Sequence, residues 1–125
     1  MNASSQKVMV VEDNDFVRMQ ICSFLKNEGL DVIECTDGLQ ASGEISKEVA
    51  IAVVDVRMEP VNGFEFIRKI RNDGIKTPVI LVTGDDNPDL LSEASRLEVL
   101  AVLKKPVQKD RLIKTIFRTL HVEKS

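Results

Sequence analysis

Residues 51–57 read IAVVDVR, so a run of four apolar residues leads directly into Asp55. Runs this rich in valine and isoleucine are typical of strands that are covered on both faces in a parallel sheet. An isolated carboxylate at the end of such a strand would lose hydration without gaining a compensating interaction. We therefore expect Asp55 to meet other groups where the strand ends.

Four further runs resemble this one and alternate with segments of helical period. They are VMVV at 8–11, VIEC at 32–35, VILV at 79–82 and VLAVL at 99–103. VIEC alternates apolar and polar residues, which suits an edge strand, whereas the others are almost wholly apolar. The clearest helical faces comprise Val17, Ile21, Phe24 and Leu25; Phe64, Ile67 and Ile70; and Leu112, Ile113, Ile116, Phe117 and Leu120.

Five strands that alternate with five helices predict a doubly wound α/β domain of the flavodoxin-like kind. We expect a five-stranded parallel sheet in the order 2-1-3-4-5, with helices on both faces because the crossovers are right-handed. Ligands of such sheets bind beyond the carboxyl ends of the strands, where the strand order reverses. We expect one domain over residues 1–125, with a core at 7–120 and short polar tails.

Polar residues follow four of the five runs, at the edge where this fold places its ligands. Carboxylates follow the first and third runs, a hydroxyl and a glycine follow the fourth, and a lysine follows the fifth. Because parallel strands end at the same edge, we expect these groups to lie together. The residues in chain order are Glu12, Asp13, Asp55, Thr83, Gly84 and Lys105.

This set of residues predicts a phosphoryl-transfer site. Three neighbouring carboxylates repel one another and raise each other's pKa unless a cation lies among them. Mg²⁺ prefers oxygen ligands and commonly joins carboxylates to a phosphoryl oxygen. Lys105 adds positive charge, and Thr83 and Gly84 offer a hydroxyl and an N–H to phosphate oxygens. Asp55 would be the nucleophile and would form an aspartyl phosphate.

Each position also has an ordinary structural interpretation. An acidic pair after a strand often caps a helix, and Asn14 and Asp15 could share that role. Thr83 alone could be a turn residue, and KKP at 104–106 could be a basic turn. The phosphoryl-transfer interpretation depends on all of these positions falling at strand ends in the expected order.

Composition excludes several other classes. The net charge is −3, the pI is about 5.2 and the sequence has no basic stripe, so we expect no direct nucleic-acid binding. The sequence contains no apolar run of membrane-span length and no signal-peptide core, which favours a cytoplasmic location without membrane contact. Cys22 and Cys35 have neither redox-motif nor metal-site spacing, so we expect two reduced thiols. His121 is the only histidine, which excludes a Ser-His-Asp mechanism within the chain.

Four motifs resemble those of bacterial response regulator receiver domains, the phosphoacceptors of two-component signalling, and the resemblance covers roughly residues 7–120. The acidic pair, the phosphoacceptor segment, the switch-threonine strand and the lysine-proline motif all occur in the family's order and spacing. The matching segments are VVEDN at 10–14, VVDVRM at 53–58 with NGFEFI at 62–67, PVILVTG at 78–84, and VLKKPV at 102–107.

The resemblance implies a role for each matching residue. Asp55 would accept phosphate from a histidine kinase or a phosphotransfer protein. Asp13, Glu12 (often through water), Asp55 and the backbone carbonyl of Arg57 would hold Mg²⁺ or Mn²⁺. The family's Lys-Pro bond is typically cis. The residues implied to contact the phosphoryl group are Val56, Arg57, Thr83, Gly84 and Lys105.

Two positions depart from the family pattern, and two further residues stand where the family flanks the path of the hydrolytic water. Pro60 lies one place later than the usual proline after the phosphoacceptor. Val102 stands where the family often has an aromatic residue, so a switch would use the fourth strand, its loop or helix packing instead. Arg57 and Asp85 could form an ion pair that partly covers the phosphate and slows its loss, or could be two solvated residues.

The expected output surface comprises helix 4, strand 5 and helix 5, and it is rich in cations. It could bind an acidic output protein, a fused effector domain or a second receiver, or it could be a solvated face. Two functions compete with the phosphorylation switch: a pseudo-receiver that binds constitutively, and a flavodoxin-like nucleotide or flavin binder. The latter lacks a glycine loop after the first strand. We expect no enzyme activity on metabolites. The cations are Arg96, Lys104, Lys109, Arg111, Lys114 and Arg118.

Overall fold

The valine- and isoleucine-rich runs form five parallel strands, and the segments between them form helices. The computed structural model of the protein describes residues 7–85 and 87–120. The expected polar tails, including His121, therefore lie largely outside the described residues. The elements are β1 (Lys7–Val11), α1 (Asp15–Lys26), β2 (Asp31–Cys35), α2 (Gly38–Glu44), β3 (Val49–Asp55), α3 (Gly63–Asn72), β4 (Val79–Thr83), α4 (Pro88–Arg96), β5 (Ala101–Lys104) and α5 (Lys109–Leu120).

The strand order is β2-β1-β3-β4-β5, which confirms the expected doubly wound, flavodoxin-like sheet. Val11 pairs with Val54 across β1 and β3, and Asp55 pairs with Val82 across β3 and β4. Thr83 in turn pairs with Lys104 on β5. These registers bring the carboxyl ends of four strands to one edge, where the polar residues follow.

Side chains that alternate along the strands divide the core into two layers, one on each face of the sheet. Val8 and Val10 point toward α1 and α5, whereas Met9 and Val11 point toward α2, α3 and α4. Burial of each such aliphatic side chain contributes about 1.5–3 kcal/mol, so the two layers hold the sheet between its helices. The largest fully buried side chains include Phe66, Ile21, Leu25, Ile51, Ile67, Ile70, Ile80, Leu81, Leu112 and Ile116.

The two cysteines are free and lie in opposite layers of the core, Cys22 with α1 and Cys35 with α2 and α3. Burial raises the pKa of Cys22 to about 11 and that of Cys35 to about 12, so both thiols stay protonated at neutral pH. The sheet lies between the two thiols, and each packs in its own layer as a small apolar side chain.

Side-chain caps fix where the helices begin. Asn14 caps α1 by accepting a hydrogen bond from the N–H of Val17. Asn62 and Glu65 form a reciprocal capping box at α3, and each accepts from the other's backbone N–H at 2.9 Å. These caps position the first turns of α1 and α3 beside the carboxyl ends of β1 and β3.

The fifth run differs from the expected strand. The sequence predicted a fully covered strand over 99–103, whereas β5 is Ala101–Lys104, with Ala101 and Val102 only half-buried. Val99 instead donates its N–H to the carbonyl of Ala94 at the end of α4. The reason is position: β5 is one of the two edge strands of the sheet, so it is covered less than an inner strand. Among the described residues, no helix has the length and apolar character needed to cross a membrane.

Candidate functional site

The carboxyl ends of β1, β3, β4 and β5 bring the expected polar side chains into one cluster. The ammonium Nζ of Lys105 lies 3.1 Å from Oδ1 of Asp55 and 3.2 Å from Oε1 of Glu12. Lys105 also donates its backbone N–H to the carbonyl of Thr83 at 2.8 Å, which anchors the lysine to the end of β4. The Lys105–Pro106 and Glu59–Pro60 peptide bonds are cis.

Three carboxylates meet at this edge. Glu12, Asp13 and Asp55 each offer an oxygen, and these oxygens lie within 4.8 Å of one another. Glu12 is 1% exposed and Asp55 is 4% exposed, whereas Asp13 faces solvent. Two buried acids, one accessible acid and oxygen donors throughout suit a hard divalent ion such as Mg²⁺ or Mn²⁺ that keeps some of its water.

Glu12 shows most clearly that Lys105 alone does not offset the negative charge of the cluster. Burial and the neighbouring charge of Asp55 raise the pKa of Glu12 to about 7, although the N–H of Asn14 and the charge of Lys105 oppose this rise. Its Oε2 accepts from the N–H of Asn14 at 3.1 Å. Its buried Oε1 has Lys105 nearby but accepts no well-directed hydrogen bond from any described residue. This oxygen is suited to a metal ion or to water bound by one.

Lys105 is held between two acids. Burial alone would lower its pKa, but the hydrogen bond and charge of Asp55, together with Glu12, outweigh burial and raise the pKa. The lysine therefore remains an ammonium at neutral pH and presents its charge directly at the oxygen of Asp55. A group attached to Asp55 would lie beside this charge.

Thr83 is buried at the end of β4, and its hydroxyl oxygen accepts from the N–H of Asp85 at 3.0 Å. Asp85 also pairs with Arg57, whose Nη2 lies 2.8 Å from Oδ2 of Asp85. The ion pair that the sequence suggested is thus present, and it links the loop after β3 to the loop after β4. Gly84 is exposed between Thr83 and Asp85.

An open groove of about 740 Å³ adjoins the acidic cluster, with Asp13, Val56, Arg57 and Asp85 among the residues that line it. The N–H of Val56 donates to the carbonyl of Val82 at 3.2 Å, so this amide extends the sheet beyond Asp55. The groove leaves the acidic cluster open to an incoming group. Asn14, one of the two residues named in the capping alternative, supplies the cap of α1, and the acidic pair does not.

Two contacts at the site were not anticipated from the sequence. Arg18 of α1 donates to the backbone carbonyl of Glu12 at 2.8 Å. Gly63 of α3 lies so close to β3 that a Cβ there would overlap the carbonyl oxygen of Asp55. The spacing from Asp55 to Gly63 was a usable signal, since a close backbone approach requires glycine. An arginine in the first turns of α1, one turn beyond the acidic pair, was a weaker signal.

The chain matches the response regulator receiver domain family over residues 8–117. It belongs to that family. Receiver domains act in two-component signalling, and this receiver domain has the family's five-stranded α/β fold. It resembles the solved structure of the Vibrio cholerae chemotaxis protein CheY4 with a TM-score of 0.84 and 26% identity, covering 91% of this chain and 98% of that chain.

Two longer proteins also contain a segment similar to this receiver domain. The Regulator of RpoS of Escherichia coli K12 is 30% identical over 120 residues, which are 93% of this chain and 35% of that protein. A cyclic di-GMP phosphodiesterase of Thermotoga maritima is 32% identical over 105 residues, which are 84% of this chain and 28% of that protein. The receiver domain thus spans about a third or less of the length of these relatives.

Proposed function

We propose that this receiver domain is a Mg²⁺-dependent phosphoacceptor and that Asp55 receives the phosphoryl group from a histidine kinase or a phosphotransfer protein. The observation that carries the proposal is the convergence of Glu12, Asp13 and Lys105 on Asp55 at the carboxyl edge of the sheet. Phosphoryl transfer depends on positioning and charge neutralisation more than on covalent chemistry by the protein. This cluster offers both.

The proposed metal ligands are Asp13 and Asp55, with Glu12 acting through water and the backbone carbonyl of Arg57 completing the set. The acidic cluster and the unsatisfied oxygen of Glu12 support them, because a divalent ion would offset the repulsion that raises the pKa of Glu12. When bound, Mg²⁺ or Mn²⁺ would neutralise charge that develops on the transferred phosphoryl oxygens. The same residues would hold either ion.

In the proposed transfer, a carboxylate oxygen of Asp55 attacks the phosphorus of a phosphohistidine. The phosphorus–nitrogen bond breaks, its electron pair stays on the imidazole nitrogen, and the imidazole takes a proton from water. Lys105, 3.1 Å from Oδ1 of Asp55, pairs with the phosphoryl oxygens that result. The neighbouring donors assigned to these oxygens are Arg57, Thr83 and Gly84. Val56 would join them only by releasing its N–H from the carbonyl of Val82.

The proposed switch begins at Thr83. Its hydroxyl accepts the N–H of Asp85, but a phosphoryl group on Asp55 adds about −1.5 to −2 charge and three acceptor oxygens nearby. Thr83 then turns its hydroxyl to donate to the phosphoryl group and gives up the amide of Asp85. The loop after β4 loses one of its constraints, and α4 follows it into a second, already accessible arrangement.

The output surface is formed by α4, β5 and α5. Val102 is half-buried on β5, at the position where the family often has an aromatic residue that changes rotamer. An aliphatic side chain cannot act in this way, so we propose that the loop after β4 transmits the conformational change. The surface presents several cations and therefore suits an acidic face of an output protein, a fused effector domain or a second receiver. We propose that residues 7–120 form the core of one receiver domain and that this domain works in the cytoplasm.

We propose that the chain has no enzyme activity on metabolites and catalyses only the phosphorylation and dephosphorylation of its own Asp55. The Thermotoga maritima relative is named as a phosphodiesterase, but this chain matches only 28% of that protein. The site offers a carboxylate nucleophile and charge neutralisation, and these groups support phosphoryl transfer to Asp55.

Incubation with acetyl phosphate and Mg²⁺, followed by intact-mass spectrometry, tests the proposal. The wild type should gain one phosphoryl group. Asp55→Asn keeps the shape of the side chain but replaces the nucleophilic carboxylate by an amide, so it should gain none. If neither protein is labelled by acetyl phosphate or by phosphoramidate as a second donor, the phosphoacceptor function is contradicted. The domain would then act as a constitutive binding module of the pseudo-receiver kind.

A further inference from the structure

Arg18 binds three oxygens that belong to three different segments in and around the acidic loop, which is residues 12–14 between β1 and α1. Its Nη1 donates to the backbone carbonyl of Glu12 at 2.8 Å, and its Nη2 donates to Oδ1 of Asp15 at 2.6 Å. Its Nε lies 3.4 Å from Oε1 of Glu34 on β2. The side chain is only 13% exposed. A rigid guanidinium fork therefore joins the acidic loop to the start of α1 and to the edge strand β2.

The carbonyl that Arg18 binds is the one between the two acidic residues. It belongs to the peptide bond that links Glu12 to Asp13, so its orientation determines where both side chains leave the backbone. The other contacts of the loop hold its two ends. The N–H of Glu12 donates to the carbonyl of Cys35 at 3.0 Å, and Asn14 donates its N–H to Oε2 of Glu12 and caps α1. Arg18 supplies the constraint on the peptide plane itself.

We propose that Arg18 is a positioning residue for the divalent-ion site, and this inference rests on the metal site proposed above. By fixing the peptide between Glu12 and Asp13, the guanidinium aims both carboxylates at Asp55. It does so without touching the ion or the phosphoryl group. Residues that hydrogen-bond to metal ligands orient those ligands, and their removal commonly weakens metal binding by tenfold or more.

The sign of the effect separates positioning from simple electrostatics. Arg18 is a cation close to an anionic site, so its charge alone opposes the binding of a second cation. If charge were its whole influence, removing Arg18 would strengthen metal binding. If Arg18 positions the loop, removing it weakens metal binding despite the loss of a repulsive charge.

Titration with Mn²⁺, followed by the electron paramagnetic resonance signal of free Mn²⁺, measures this affinity without phosphorylation. We expect the dissociation constant for Mn²⁺ to rise about tenfold in Arg18→Ala. Arg18→Lys should lose nearly as much, because one ammonium keeps the charge but cannot reach all three oxygens. The Lys variant also gives a result if the Ala variant does not fold.

Arg71→Ala is a matched control. Arg71 likewise binds three oxygens, here the backbone carbonyls of Leu97, Ile75 and Thr77, each at 3.0 Å, but these lie near the amino end of β4 and the end of α4. Removal of an arginine with a purely structural role should lower the melting temperature and leave the Mn²⁺ dissociation constant unchanged. We expect this result for Arg71→Ala and not for the Arg18 variants.

Each outcome decides one question. Weaker Mn²⁺ binding in folded Arg18 variants, with unchanged binding in Arg71→Ala, supports the inference. Unchanged or tighter binding in the folded Arg18 variants overturns it and leaves the metal site intact. A wild-type protein that binds no Mn²⁺ overturns both the metal site and the role of Arg18.

Discussion

At the scale of single residues, the burial of Glu12 has a measurable thermodynamic effect. Its pKa is about 7 in the folded, metal-free protein against an ordinary value of 4.5, so the folded state binds the proton more tightly than the unfolded state. Stability from this group is complete below pH 4.5 and is lost as pH rises to about 7. A buried, ionised Glu12 therefore destabilises the metal-free domain at neutral pH.

Glu12→Gln should remove this pH dependence. Relative to the wild type, the free energy of unfolding of Glu12→Gln should rise by roughly 1–3 kcal/mol between pH 4.5 and pH 8 in EDTA. Urea unfolding at both pH values measures the difference. Added Mg²⁺ should reduce it, because the ion favours the carboxylate of the wild type. A difference that stays constant with pH would show that Glu12 is not the buried acid described here.

The pair formed by Arg57 and Asp85 makes a second prediction for single residues. If the pair covers the phosphoryl group, Arg57→Ala should shorten the half-life of the aspartyl phosphate by roughly two- to fivefold, which corresponds to about 0.5–1 kcal/mol. Asp85→Ala should act in the same direction, since it removes the same cover. Decay of the phosphorylated mass over time measures both half-lives.

Arg68→Ala is the control for this pair, because Arg68 forms an exposed ion pair with Glu93 between α3 and α4. It should leave the half-life unchanged. The covering role is wrong if Arg57→Ala decays like the wild type. Opposite effects of Arg57→Ala and Asp85→Ala would instead indicate that only the charge of each residue matters.

At the scale of elements, the approach of α3 to β3 depends on Gly63. A Cβ on Gly63 would overlap the carbonyl oxygen of Asp55 and would also press on Val54. Gly63→Ala must therefore move α3 or the end of β3, at a cost of about 1–3 kcal/mol. Because β3 carries the phosphoacceptor, we also expect slower labelling by acetyl phosphate.

Gly43→Ala is the matched control within α2. A Cβ on Gly43 meets no atom within 4 Å, so the substitution should raise the stability of the domain by roughly 0.5–1 kcal/mol through helix propensity. Urea unfolding and the rate of labelling should be measured for both variants. Wild-type stability and labelling in Gly63→Ala would contradict the close packing of α3 on Asp55.

At the scale of the whole molecule, the sequence predicted the sheet well because each strand is marked by a run of several apolar residues. Inner strands such as β3 are apolar throughout, and parallel strands must end at one edge, so the positions of Asp55, Thr83 and Lys105 followed from the strand order. The same order makes β5 an outer strand. Its apolar run nevertheless suggested full burial, because composition alone does not register a strand's place in the sheet.

The individual hydrogen bonds of the site could not be predicted from the sequence. The bond from the N–H of Asp85 to the hydroxyl of Thr83, and the contact of Arg18 with the carbonyl of Glu12, depend on side-chain rotamers and loop paths. Such contacts join residues through single atoms and leave no periodic pattern in the sequence. They are also the contacts on which the switch and the proposed positioning of the metal ligands depend.

The most direct measurement for the central claim is chemical mapping of the phosphoryl group. After labelling with acetyl phosphate and Mg²⁺, borohydride reduces an aspartyl phosphate to homoserine, which tandem mass spectrometry locates in the sequence. We predict homoserine at residue 55, in amounts that fall to background when EDTA removes the metal. Homoserine at any other position, or equal labelling with and without the metal, would contradict a phosphoacceptor site built from Glu12, Asp13, Asp55 and Lys105.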